Sequence, residues 1–310
     1  MLNITDFSFL SSDGATQLHA MEWWDTDRAP IAVLQITHGV AEYIARYDDF
    51  ARFLVENGFA VVGHDHLGHG KSLGEGGTPV FFSEENGWQK AVDDVYGLHC
   101  IIKEKYPGIP CFLMGHSMGS FIARSFLIRY PGAVDGAIIM GTGWQSPVIL
   151  TGGLLVAAWE CRRRGCRATS DLVTNLAFGS YNKAFAPNRT ASDWLSVNAE
   201  NVDRYIADPL CGQDATVGLF RDMLRGFRFN QNAENLRKMD PNTPVLFIAG
   251  QDDPVGEMGK GVARSAKAFR DAGMKHVEEL LFPGLRHEIL NETCREDVYH
   301  RLLQWLKQYM

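Results

Sequence analysis

Positive charge is in short supply in this chain. Lysine and arginine number 30 against 37 aspartates and glutamates, which gives a formal net charge of −7 and a pI near 5.8. Such a chain has no general attraction for phosphate backbones or anionic surfaces, so nucleic acid is not an expected partner. The one basic cluster, Arg162, Arg163 and Arg164 with Arg167 close behind, reads as a solvated turn. Cysteine is also sparse. Of the six, at positions 100, 111, 161, 166, 211 and 294, Cys100 and Cys111 fall in apolar segments, and buried free thiols are expected rather than a disulfide framework. Cys161 and Cys166 flank the arginine cluster, but no further Cys/His pair completes a ligand pattern, so no metal is predicted. Long apolar runs are missing as well. No stretch reaches the roughly 18 residues that a membrane span needs, and the start MLNITDFSFLSSDG lacks the basic and apolar regions of a signal peptide. A soluble, cytoplasmic protein is the expectation. The turn from Asp65 to Ser72 is rich in glycine but lacks the spacing of a phosphate loop, and no cofactor is predicted.

What is present is the composition of a folded globular protein, with 45% hydrophobic and 22% charged residues. Ile4 to Leu10 and Gln17 to Trp24 read as strands joined by a tight turn at Asp13-Gly14. Short apolar runs then alternate with helical patterns: Ile31 to Ile36, a helix near Phe50 to Leu54, Phe59 to Val62, a helix from Trp88 to Lys105, Pro110 to Met114, a helix from Met118 to Tyr130, and Val134 to Met140. That rhythm predicts βαβ units around a buried parallel sheet. It breaks from Trp144 to about Asp240, where helical and loop signals replace strands, and resumes with Pro244 to Ala249, a helix over Val262 to Phe269, Val277 to Phe282 and a terminal helix around Leu302. The expected organisation is therefore a core of residues 1–143 and 241–310 carrying an insertion of residues 144–240.

The chemistry is signalled at Gly115-His116-Ser117-Met118-Gly119. The pentapeptide fits G-x-S-x-G and stands between an apolar strand and an apolar helix, where a sharp turn lifts a serine hydroxyl above the sheet and leaves no room for side chains two residues away. Ser117 is the candidate nucleophile. A serine hydroxyl needs a base and a group that fixes the tautomer of that base. His287, in the loop after the last strand, is the candidate base. Asp252 and Asp253 both follow the strand ending at Ala249. Asp253 is preferred because it is the third residue past Gly250 and precedes a proline, where the chain has turned toward the histidine loop. An oxyanion would need backbone N–H donors, for which Met118 and Val40, in His38-Gly39-Val40-Ala41-Glu42, are the candidates. Asp65 and His69 are expected to brace that loop.

With these residues in place, the sequence resembles the monoglyceride lipase and lysophospholipase-like branch of the α/β hydrolases, often labelled serine aminopeptidase-like. The resemblance is carried by His38 to Glu42 with Arg46-Tyr47, by Asp65 and Gly68 to Ser72, by Gly115 to Gly119, by Asp252 to Val255 and by His287-Glu288. It departs at Tyr43, where the branch commonly has histidine. The resemblance implies an α/β-hydrolase fold, a mostly parallel eight-stranded sheet with a helical cap, and a triad of Ser117, Asp253 and His287. The implied activity is hydrolysis of carboxylic esters such as monoacylglycerols or lysophospholipids, with a small-molecule acyl ester as the partner. Amide hydrolysis or acyl transfer on the same triad, and ligand binding without turnover, are the alternatives these residues leave open. The apolar start of the insertion is expected to cover an acyl chain, with Leu155 and Trp159 as candidate substrate contacts, and to touch a membrane surface transiently.

Overall fold

Strand and helix alternate along the chain, and the order of the strands in space explains where the functional loops gather. The computed structural model covers residues 1–310. Its eight strands are β1 (Leu2–Leu10), β2 (Gln17–Asp25), β3 (Ala32–Thr37), β4 (Phe59–His64), β5 (Cys111–His116), β6 (Gly136–Met140), β7 (Val245–Gly250) and β8 (Val277–Phe282), in one sheet ordered β1-β2-β4-β3-β5-β6-β7-β8. β1 and β2 pair antiparallel, β2 meets β4 antiparallel, and all later neighbours are parallel. The carboxyl ends of β3, β5, β7 and β8 therefore point the same way, and the loops that carry Val40, Ser117, Asp253 and His287 rise from one edge.

The helices are α1 (Asp48–Glu56), α2 (Gly87–Lys105), α3 (Met118–Arg129), α4 (Pro147–Arg164), α5 (Asp171–Phe178), α6 (Ala199–Ala207), α7 (Val217–Asn230), α8 (Ala233–Leu236), α9 (Lys260–Asp271) and α10 (Arg295–Gln308). Because strand side chains alternate, each central strand feeds two cores. Leu113, Ala137, Ile139 and Phe247 face α2, α3 and α9, whereas Phe112, Met114, Ile138 and Ile248 face α1 and α10. Every residue of β3 to β7 is buried, and removing a fully buried ring such as Phe112 costs about 3–5 kcal/mol in sites of this kind.

Between β6 and β7 the chain forms no strand of the sheet, only the helices α4 to α8 joined by turns and irregular loops, with one isolated bridge between Thr169 and Thr216. Ser146 caps α4, its hydroxyl accepting from Ile149 N–H at 3.3 Å, with Pro147 in the first turn. Gly165, at φ +89°, ends it.

Two expectations need correction. The turn after β1 is not a two-residue hairpin: Leu10 pairs with Gln17, and the six intervening residues form a loop. The tight turn itself forms, Gly14 N–H donating to Ser11 O at 3.0 Å, but Asp13 also accepts from Ala15 and Thr16 N–H at 2.8 Å each and Ser11 is tied to Asp94 of α2, so side-chain anchoring lengthens the connection around it. The cysteines also differ from expectation. Cys161 and Cys166 form a disulfide, because the chain reverses at Gly165 and brings their Cα atoms to 4.3 Å. Cys111 and Cys211 are buried, Cys294 is half-buried, and Cys100 is exposed on the outward side of α2.

Candidate active site

Ser117 sits at the sharp turn between β5 and α3 with φ +53° and ψ −122°. A non-glycine residue at positive φ is strained, and such strain persists only where surrounding structure fixes it. Here the flanking glycines permit the turn. A Cβ on Gly115 would lie 2.2 Å from Gly119 O, and one on Gly119 would lie 2.1 Å from Thr37 O. Ser117 N–H donates to Met140 O at 3.0 Å, holding the turn to the end of β6.

The loop after β8 brings His287 to the same place. Its ring is 2% exposed, and Nδ1 lies 2.9 Å from Oδ2 of Asp253, which is fully buried. The second oxygen of Asp253 accepts from Val255 N–H at 2.9 Å, so the carboxylate is held on both sides. Asp252, only half-buried, is not the residue facing His287. Ser117, His287, Gly39 and Val40 line one cavity of about 290 Å³. Met118 opens α3, and the first N–H groups of a helix have no partner inside it. Val40 N–H is likewise without a partner in the chain.

Beneath the cavity lies a charged layer. Glu42 Oε1 accepts from Gly39 N–H at 2.6 Å and Tyr47 O–H at 3.0 Å, and lies 3.1 Å from His116 Nδ1. Arg46 bridges Glu42 at 2.7 Å and both oxygens of Glu288 at 2.8 Å. Burial alone would raise the Glu42 pKa, but the bond to His116 and the Arg46 charge hold it far below the usual carboxylate range. Asp65 braces the next turn, accepting from Ile44 N–H at 2.8 Å and Lys71 N–H at 2.9 Å. His69 packs beside it at a ring distance of 5.4 Å from His38. No group of three or more His, Cys, Asp or Glu side chains is arranged to hold a metal ion.

The cap supplies the other wall. Thr174 and Phe178 of α5, with Trp194, Leu195 and Tyr205, line the cavity. Trp194 lies over His287, ring centroids 5.1 Å apart. Tyr43, the departure from the branch pattern, donates from its hydroxyl to Asp208 Oδ2 at 2.6 Å and so ties the loop after β3 to the cap. Leu155 and Trp159 are not brought to the site. They are 68% and 55% exposed and line no part of the cavity, because α4 turns that face to solvent and packs its Leu150 and Ala157 inward. Sequence reasoning missed Trp194 and the joint role of Arg46 and Glu288. Trp194 stands in an irregular stretch without periodicity, whereas a glutamate directly after the candidate base was a visible signal.

The sequence matches the serine aminopeptidase, S33, family over residues 28–294. It is 30% identical over 288 residues to monoglyceride lipase of Mus musculus, covering 90% of this chain and 86% of that one. It is 26% identical to a phospholipase of Bacillus subtilis, covering 93% of this chain and 99% of the relative. A thermostable carboxyl esterase from Bacillus coagulans, solved in complex with glycerol, superposes with a TM-score of 0.91 at 26% identity, covering 99% and 98% of the two chains. The chain thus belongs to the serine aminopeptidase, S33, family of α/β hydrolases, and is a carboxylic ester hydrolase like the lipases and esterases it is similar to.

Proposed function

We propose that the protein hydrolyses monoacylglycerols or closely similar acyl esters through an acyl-enzyme on Ser117. The carrying observation is the meeting of Ser117, on its strained turn, with an Asp253-anchored His287 in one cavity. Ser117 Oγ attacks the ester carbonyl carbon while its proton passes to His287 Nε2. The carbonyl oxygen, now anionic, receives the N–H groups of Val40 and Met118. Collapse breaks the bond to the alcohol oxygen, which takes the proton from His287 and leaves. Water, deprotonated by His287, then attacks the acyl-Ser117 carbonyl, and a second collapse releases the carboxylic acid and restores the serine. These steps use only groups of the chain and water.

Residues 144–240 act in this reading as a lid whose Thr174 and Phe178 cover the acyl chain. No lysine or arginine lines the cavity, and its Glu42 and Glu288 are already paired with Arg46, so no lining side chain is free to answer a phosphate charge, which favours an uncharged glycerol ester over a phosphate-bearing lysophospholipid. The mouse relative named a monoglyceride lipase and the glycerol in the Bacillus coagulans esterase support the same alcohol. No helix is long and apolar enough to cross a membrane. The outward face of α4 and α5, with Val148, Leu155, Trp159 and Leu176 exposed, is suited to transient contact with a lipid surface.

Labelling with a fluorophosphonate, followed by rates on monoacylglycerol and lysophospholipid of equal chain length, tests this. One label per chain at Ser117 and at least about tenfold preference for the monoacylglycerol, roughly 1.4 kcal/mol, are expected. A folded protein that takes no label rejects the hydrolase mechanism, and a preference for the phospholipid rejects the substrate.

A further inference from the structure

We propose that His116, the residue before Ser117, is a buried imidazolium that latches the oxyanion loop to the His287 loop, and is thereby a positioning residue for the ester hydrolysis proposed above. The inference rests on that reading of the site and adds a residue to it that lines the floor of the cavity and acts through Glu42 and the backbone of His287.

The geometry comes first. His116 ends β5 and is 5% exposed. Its Nδ1 faces Glu42 Oε1 and the Tyr47 hydroxyl, each at 3.1 Å, and its Nε2 faces the backbone carbonyl of His287 at 3.3 Å. A carboxylate and a carbonyl only accept hydrogen bonds, and wherever the one Tyr47 proton lies, Glu42 Oε1 still faces Nδ1. A neutral imidazole has a single N–H and would set a lone pair against one of these two acceptors. The doubly protonated ring meets both.

Charge balance points the same way. The ionisable groups around the ring are Glu42, Arg46 and Tyr47 from the loop after β3, and His287 with Glu288 from the loop after β8. Arg46 is bound to both glutamates, so two carboxylates and one guanidinium leave one buried negative charge. A protonated His116 cancels it, and an uncompensated buried charge is strongly unfavourable. Burial by itself would lower the His116 pKa, but the bond to Glu42, together with the charges of Glu42 and Glu288, raises it above the ordinary imidazole value.

The latch has two ends with consequences for rate. At one end Glu42 also takes Gly39 N–H, fixing the peptide that precedes Val40. At the other end the bond holds the backbone of His287 itself. One ring therefore sets the separation between the oxyanion donors and the base, where small misplacements are costly. The His116 and His287 rings lie 4.8 Å apart, so a positive charge on the first opposes a second on the base.

The test combines NMR of the wild-type imidazoles with kinetics of H116F and H116Q. Two ring N–H signals from His116 at neutral pH are expected. H116F is expected to lose about 10- to 100-fold in kcat with KM within about twofold, and to move the acid limb of kcat/KM to higher pH. H116Q, able to serve one acceptor, should fall between it and the wild type. A single ring N–H in the wild type overturns the proposal, as does a loss of the same factor at every pH or one confined to KM. If H116F does not fold, H116Q and the wild-type NMR decide. Fluorophosphonate labelling of the same samples separates the two readings: labelled protein with normal H116F kinetics removes only the latch, whereas an unlabelled wild type removes the hydrolase.

Discussion

The floor and the roof of the cavity are made of different material. The floor, around Gly39, Ser117 and His287, rests on Glu42, Arg46, His116 and Glu288, all largely buried and bonded to one another. The roof, from α4 to Trp194, carries few charges toward the cavity and leaves Val148, Leu155 and Trp159 more than half exposed to solvent. A buried polar network fixes positions, because each unmet partner is costly. The α4 and α5 part of the cap, which packs inward through Leu150, Ala157 and Val173, can shift at smaller cost. Under the proposed mechanism, chemistry that depends on sub-ångström placement falls to the floor, and selection of a variable acyl chain to the roof. Substitutions in the two regions should therefore differ in size and in kind.

The largest effect is expected at the floor. Ser117→Ala should lower kcat/KM by at least about a thousandfold while circular dichroism and the unfolding midpoint stay near wild type, because alanine can occupy the same turn and few contacts are lost. More than about a tenth of wild-type kcat/KM remaining, a change of roughly 1.4 kcal/mol, would remove Ser117 from the proposed mechanism.

Next in size is the contrast between two adjacent aspartates. Asp253→Asn keeps the shape of the residue but can place an N–H where Nδ1 of His287 points, turning the ring toward the wrong tautomer. A loss of several orders of magnitude in kcat is expected. Asp252→Asn, at a half-buried position that does not face His287, should cost less than about twofold, within the range usual for surface changes. Rates of the two variants under saturating ester make the comparison, and equal losses would dissolve it.

How much of this was legible in the sequence follows the same division. The β5–Ser117–α3 turn, the strands β3 to β8 and the loop positions of His287 and Asp253 are written in local patterns: apolar runs, glycine spacing, and polar residues just past a strand end. The length of the first connection is not legible because Ser11 and Asp94 are 83 residues apart, and no local signal reports their bond. The Cys161–Cys166 pair was misread because closure depends on the reversal at Gly165. In α4 the apolar residues run round the helix, so periodicity could not say which side is inward. Leu155 and Trp159 are thus expected at a cavity they do not line, whereas Phe178 and Trp194, which do line it, carry no local signal.

A third effect concerns the buried histidines beside the floor. His64 and His69 are pushed down to about 3, chiefly by burial and also by the charge of His38. A histidine whose folded pKa lies below its unfolded value of 6.5 contributes stability that is complete above 6.5 and is lost as pH falls toward the folded value. Each can cost up to about 1.4 kcal/mol per pH unit in that window. The unfolding temperature is therefore expected to drop steeply between about pH 6.5 and pH 4. His64 has both ring nitrogens without a partner and packs edge-on to Phe9 at 5.4 Å. His64→Phe should lessen the drop while changing stability little near pH 7.5, where the native ring is neutral. An identical pH profile in the variant would show that acid sensitivity arises elsewhere.

The smallest effects are expected at the roof, and they sharpen its internal division. Phe178 faces the cavity, whereas Trp159 faces solvent beneath the guanidinium of Arg163, which lies 4.8 Å above its ring. If the acyl chain lies along Phe178, each methylene buried there adds up to about 0.8 kcal/mol. In that case kcat/KM for soluble esters should climb severalfold per two carbons until the pocket is full. Phe178→Ser should flatten that climb and leave acetate esters nearly unchanged. Trp159→Ser should leave the whole soluble series within about twofold, as expected of an exposed residue away from the reacting groups. The same variant should lose severalfold in rate on monoacylglycerol presented in phosphatidylcholine vesicles, because an interfacial tryptophan contributes to anchoring at the lipid surface. Cosedimentation with the vesicles separates weaker docking from weaker turnover. Should Trp159→Ser flatten the soluble series and Phe178→Ser not, the acyl chain would run under α4, and α4 would have to turn over during turnover to bring its outer face to Ser117.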